Sequence, residues 1–269
     1  LEYLEEHIDV NHVENVEKLH VDAVNYKEVP FLPISIVYPI SDDITPFPYV
    51  EAFDEPEKML FNELAANKFN VLNSVRMKDY FPLQIRSNHG VGIIASLFGA
   101  KCKIIDNNMP WIEPFESMDD IKRLILKGVL EYDRALGHKV KETHQFFIDK
   151  LKQYPKCFKT IHITQPDMQG PFDIAHLLIG SNIFYEVYDN PDILHELLEL
   201  ITKTYIGFRK FIEPYLTDKT DIAEDDNCMY VHWAIYGGKV IIKDDTATVN
   251  MSESMYNEFS KQYNQIILS

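Results

Sequence analysis

The chain has 269 residues, 42 of them acidic and 26 basic, for a net charge of −16. So acidic a surface has little positive potential with which to neutralise phosphates, which excludes nucleic acid as a partner. The 46% hydrophobic and 25% charged content excludes a disordered chain, and the longest stretch free of charge and strong polarity, Gly90 to Ala100, is about half of the roughly 20 residues a bilayer-crossing helix needs.

The length suits one large domain or two small ones. Residues 1–50 join acidic helix-like sequence to a run carrying Pro30, Pro33 and Pro39, which reads as an extended or edge arm because proline cannot donate to a ladder. Asp54 followed by Glu57 has the capping-box spacing, and Met59, Leu60 and Leu64 share a helical face, so a helix is expected over 55–67. An N-terminal arm, 1–70, then gives way to a main domain, 71–269.

Residues 81–86 alternate like a strand and pass through Ser87 to Gly90 into a short buried helix, 91–98. Ser117 caps a helix carrying Ile121, Leu124, Ile125 and Leu130, and a second helix is expected over 138–153. Residues 160–164 form a strand, and the loop 165–170 opens a further helix at Pro171. Asn190 and Pro191 start the clearest helix, with Leu194, Leu197, Leu198, Ile201, Tyr205, Phe208 and Ile212 on one side. A strand at 239–244 and a final helix capped by Ser252 complete the pattern.

Strands alternating with long helices predict an α/β fold with parallel strands, and a TIM-type (β/α) barrel is the leading architecture. Chemistry in such barrels sits in the loops after the strands, which selects 84–90, 164–170 and 244–248. The three cysteines, Cys102, Cys157 and Cys228, match neither a disulfide framework nor a zinc ribbon and read as small buried thiols. The acidic segment Leu1 to His7 has no signal-peptide pattern, and the expected localisation is cytoplasmic.

Residues Gln169 to Ser181, with Gly170, Pro171 and Phe172 at their head, are followed by Tyr188 to Leu198 around Asn190 and Pro191. Together with Gly237 to Asp245 leading into Asn250 to Phe259, and with Gly90 to Gly99, this pattern resembles the uroporphyrinogen decarboxylase superfamily over roughly residues 70–269. That superfamily also includes zinc-dependent corrinoid and coenzyme M methyltransferases. The resemblance implies a (β/α) barrel, an enzyme and a homodimer. The arginine-rich N-terminal segment and early aspartate of true uroporphyrinogen decarboxylases are missing, and the five arginines, Arg76, Arg86, Arg123, Arg134 and Arg209, are few for gripping a polycarboxylate.

The arginine shortage turns the reading towards zinc-dependent methyl transfer from a corrinoid-type donor to a thiol. Porphyrinogen decarboxylation, which needs no cofactor, and non-catalytic tetrapyrrole or corrinoid binding stand as alternatives. No His-x-Cys pair occurs. The barrel is therefore expected to be incomplete at the C-terminus, with no metal ligand in this chain and zinc ligands beyond Ser269. A small molecule or a corrinoid protein is the expected partner.

The candidate catalytic residues are Asp244, Asp245 and His232. Asp244 or Asp245 would carry a proton or orient substrate at a strand end, or else form a solvated turn. Adjacent positions point them to opposite faces, so they form no dyad. His232, beside Trp233, would hydrogen-bond substrate or pack structurally. Arg86, His89, Gln165, Asp167 and Gln169 are the substrate-binding candidates, with a salt bridge competing at Arg86 and turn chemistry at Asp167. His162 and His176 read as buried structural histidines.

Overall fold

The computed structural model describes residues 1–34, 44–66, 71–129, 131–217 and 242–269. The elements in chain order are α1 (Glu2–His7), α2 (Val10–Val24), α3 (Tyr49–Asp54), α4 (Pro56–Phe61), α5 (Val71–Met77), β1 (Gln84–Ile85), α6 (Ile93–Leu97), β2 (Lys101–Lys103) and β3 (Trp111–Glu113). They continue as α7 (Met118–Lys127), α8 (Ala135–Leu151), α9 (Pro155–Thr160), β4 (His162–Ile163), α10 (Pro171–Ile179), α11 (Ile183–Asp189), α12 (Pro191–Ile212), α13 (Asp245–Asn250), α14 (Glu253–Tyr256) and α15 (Gln262–Leu268). No described helix is long and apolar enough to cross a membrane.

The chain packs as two units. The first comprises Leu1–Asn88, Glu142–Pro166 and the described part of Tyr215–Ile241. Its core gathers Leu4, Ile8, Leu60, Leu64, Leu83, Ile85, Phe147, Leu151, Ile161 and Ile163. β1 and β4 form a parallel pair in the register Gln84↔His162 and Ile85↔Ile163. On the other side of β4, Thr217 N–H donates to the Ile163 carbonyl at 2.9 Å and Ile163 N–H donates to Thr217 Oγ1 at 2.7 Å. Both edges of β4 are thus satisfied, as a buried parallel strand requires.

The second unit comprises His89–Lys141, Asp167–Pro214 and Ile242–Ser269. Its long helix α12 buries Leu194, Leu197, Leu198, Ile201, Phe208 and Ile212 completely and packs against α10 and α15; each such side chain contributes about 1.5–3 kcal/mol. β2 and β3 form an antiparallel hairpin that pairs Cys102 with Ile112 and turns Ile112 inward.

Among the described residues the sheets are one parallel pair and one antiparallel hairpin, and no closed barrel is formed. The helix expected over 55–67 is α4 extended by a π turn, Asn62–Ala66. Its N-cap is Glu55 and not Asp54, because Asp54 is still part of α3 and its backbone is helical. Ser117 does cap α7, accepting from Asp120 N–H, and Gly128 ends that helix at φ +65 before Leu130, which lies outside the described residues. Asn190 precedes α12 but makes no side-chain cap; its Nδ2 donates to Glu186 Oε2 at 2.6 Å. Of the expected strand at 239–244, residues 239–241 lie outside the described residues and 242–244 form no ladder.

Candidate functional site

Parallel pairing sends both chains of the β1–β4 pair out at the same end. Thr164 N–H and Oγ1 extend the ladder by donating to the Ile85 carbonyl at 2.9 and 3.3 Å. The residues that leave this end, Arg86, Ser87, Thr164 and Gln165, are all buried. Two side chains from elsewhere in the first unit meet the turn after β1. Arg86 N–H donates to Glu63 Oε2 at 3.3 Å, with Glu63 supplied by the π turn after α4. Ser87 N–H donates to His144 Nε2 at 3.1 Å, with His144 on the buried stripe of α8. An N–H can only donate, so Nε2 carries the lone pair and His144 is a neutral imidazole with its proton on Nδ1.

Ser87 Oγ and Gln165 Oε1 are shielded from solvent and have no hydrogen-bond partner among the described residues. Leaving a buried polar atom unsatisfied costs about 1–3 kcal/mol, and groups in that state mark places that take a polar ligand or an ordered water. The parallel pair therefore ends among buried polar groups, with the Ser87 hydroxyl and the Gln165 amide oxygen among them. His162, on β4 itself, is differently placed: its Nδ1–H donates to the Thr217 carbonyl at 2.9 Å and its Nε2 lies 2.5 Å from Glu17 Oε1. Both ring nitrogens are committed within the fold.

In the second unit the conspicuous group is a pair of buried carboxylates, Asp173 and Asp244. Asp244 Oδ1 accepts from Asp173 N–H at 3.0 Å in the first turn of α10. In return Asp173 accepts from Asp245 N–H and Thr246 N–H, both at 2.9 Å, in the first turn of α13. Each aspartate caps the other's helix, which places two negative charges at two positive helix ends. Asp244 Oδ2 also accepts from Ser260 Oγ at 2.6 Å and Asn264 Nδ2 at 3.0 Å. Gly170, the N-cap of α10, admits this arrangement because a Cβ there would lie 2.3 Å from Asp244 Oδ1. Burial foremost, and then the Asp244 charge, pushes Asp173 up to about 6, and burial raises Asp244 as well.

Of the sequence-derived candidates, Arg86 and Gln165 share the strand ends of the first unit. His89, Asp167, Gln169, Asp244 and Asp245 belong to the second. There Gln169 Nε2 donates to Asp167 Oδ1 at 3.0 Å, and His89 is buried. Asp244 is buried while its neighbour Asp245 is exposed, so the two diverge as the alternation implied. His232 and Cys228 lie outside the described residues. Cys157 is buried, and burial, reinforced by the Glu5 carboxylate, pushes its thiol up to about 12.

Glu63, Ser87, His144 and Asp173 were not among the candidates. His144 and Thr143 stood out only as polar residues set into the apolar α8 stripe of Val140, Phe147, Ile148 and Leu151, and Asp173 as an acid in the first turn of an otherwise apolar helix.

No protein-family model matches the sequence, and no curated protein matches it. Among solved structures the fold is similar to that of a methyltransferase from Methanosarcina mazei, with a TM-score of 0.53 and 18% sequence identity over 76% of this chain. The chain spans 57% of the length of that methyltransferase, and a likeness at this identity establishes a methyltransferase-like fold.

Proposed function

We propose that the chain is part of a (β/α) barrel enzyme of the uroporphyrinogen decarboxylase superfamily type that transfers a methyl group from a corrinoid donor to a thiol. The observation that supports this reading most is the fold likeness to the methyltransferase. The buried polar wall at the carboxyl end of β1 and β4 agrees with it, because barrel chemistry gathers at that end.

In this reading a methylated corrinoid would supply the methyl group, its cobalt–carbon bond breaking to leave the Co(I) corrinoid as the thiolate sulfur takes the methyl, and the chain's own residues position the acceptor. Buried Arg86 brings positive charge to this strand end for the anionic thiolate. Ser87 Oγ and Gln165 Oε1 supply the hydrogen bonds that orient the acceptor's polar end. His89, Asp167, Gln169, Asp245 and His232 keep the roles expected from sequence as part of the same proposal, whereas Asp244, whose oxygens accept from Asp173 N–H, Ser260 and Asn264, is given the role of a helix cap instead. Among the described residues no three His, Cys, Asp or Glu side chains converge on a point that would hold a metal. The zinc of the thiol-methylating branch has no donor set among those residues.

The test is methylcobalamin incubated with a small thiol and the gene-length protein, with and without added zinc, following thioether formation. Thioether in proportion to methylcobalamin consumed is the expected result. Carbon dioxide release from uroporphyrinogen without thiol methylation would transfer the chain to the decarboxylase branch. Tight cobalamin binding without turnover would make it a binding protein.

A further inference from the structure

A cleft of about 590 Å³ opens in the first unit among α1, α4, α5 and the C-terminal half of α8, and no candidate residue discussed above lines it. Its volume lies in the range of small-molecule sites, which are mostly apolar with a few placed polar groups. The wall fits that description: Leu60 and Leu64 are buried, and Leu72 and Phe146 are half-buried beside them.

Two cations stand over this surface, and both rest on rings. Lys150 Nζ lies 5.5 Å from the centroid of Phe146. The Arg76 guanidinium lies 5.5 Å from that of Tyr3 and donates from Nε to the Tyr3 hydroxyl at 3.2 Å. A ring face holds an ammonium weakly at a wet site and more strongly where water is thin. Lys150 is half-buried and makes no ion pair among the described residues. The two carboxylates on the rim, Glu2 and Glu57, are exposed, where solvent screens them. Arg76 is exposed as they are, so the half-buried charged side chain on the described wall is Lys150, in a chain whose net charge is −16.

We propose that this cleft binds a small amphipathic anion, an apolar chain or ring bearing one carboxylate or sulfonate. Its apolar part lies against Leu60, Leu64, Leu72 and Phe146, and its acidic group takes Lys150 from the Phe146 ring. The proposal is independent of the methyl-transfer reading, because the cleft shares no residue with the strand-end site.

The experiment is calorimetric titration of the 269-residue chain, below the micellar concentration, with dodecanoate and with dodecyltrimethylammonium as the head-group control. One dodecanoate per chain is expected, with the cationic amphiphile at least tenfold weaker. Lys150→Glu should weaken dodecanoate at least tenfold at an unchanged melting midpoint, and Leu72→Trp, checked by circular dichroism for folding, should fill the cleft and abolish binding. Equal affinity for the two head groups, several molecules bound per chain, or dodecanoate binding indifferent to Lys150→Glu would each overturn it. So would binding to anionic vesicles with none to monomeric dodecanoate, which would make the occupant a bilayer.

Discussion

The carboxylate pair of the second unit and the strand end of the first differ in how their buried oxygens are used. In the second, both oxygens of Asp173 and both of Asp244 accept hydrogen bonds, and their job is to end helices. In the first, Ser87 Oγ and Gln165 Oε1 are just as dry and have no partner among the described residues. A satisfied buried network holds a fold together, whereas an unsatisfied atom costs stability and has to be explained by what it meets in use. On that contrast the carboxylates act as a clasp within the fold, and the strand end is the place proposed above for the acceptor.

The largest test of that contrast is Asp244→Ala. It strips an acceptor from the Asp173 N–H, Ser260 and Asn264 together, and should cost about 3 kcal/mol in urea unfolding, combining a lost cap with buried donors left unpaired. Gly170→Ala comes next, at about 2 kcal/mol, because the new methyl group pushes the Asp244 carboxylate off α10; a value near zero would mean that the clasp tolerates separation.

The clasp also has a pH signature. Asp173 is raised from 3.8 to about 6, so the native state binds more protons than the unfolded chain between those values. Its contribution is fully present below about pH 4 and is lost as pH rises through about 6. The melting midpoint of the wild type should fall across that window more steeply than that of Asp173→Asn, and parallel profiles would remove Asp173 as the group responsible. The smallest effect on stability belongs to the strand end. Ser87→Ala and Gln165→Leu should each move unfolding by no more than about 0.5 kcal/mol, or stabilise slightly, since they delete unpaired polar atoms, while lowering thiol methylation at least tenfold. Losses as large as that of Asp244→Ala would make both regions structural and erase the distinction.

What the sequence disclosed follows the range of the forces involved. Local signals located α7 through Ser117 and the buried face of α12 through its periodicity. The strand centres at Gln84–Ile85 and His162–Ile163 fell inside the expected stretches, trimmed because the ladder is only two residues long. The π turn after α4 escaped, since a one-residue slip hardly disturbs a helical apolar stripe. The β2–β3 hairpin escaped because Lys101, Lys103 and Trp111 face outward and leave Cys102 and Ile112 to signal it. Arg86 and Gln165 were legible as residues after strands, but the Ser87–His144 contact joins positions 57 apart and the Asp173–Asp244 contact positions 71 apart. Nothing local announces either.

That separation of 71 residues also bears on the order in which the second unit assembles. Neither α10 nor α13 can be capped until a long loop has closed, and closing it costs chain entropy before any bond is returned. The clasp should therefore form late, after α12 has collapsed onto its neighbours. Its loss should speed unfolding far more than it slows refolding, so the two aspartates set how long the native second unit survives more than how quickly it is reached.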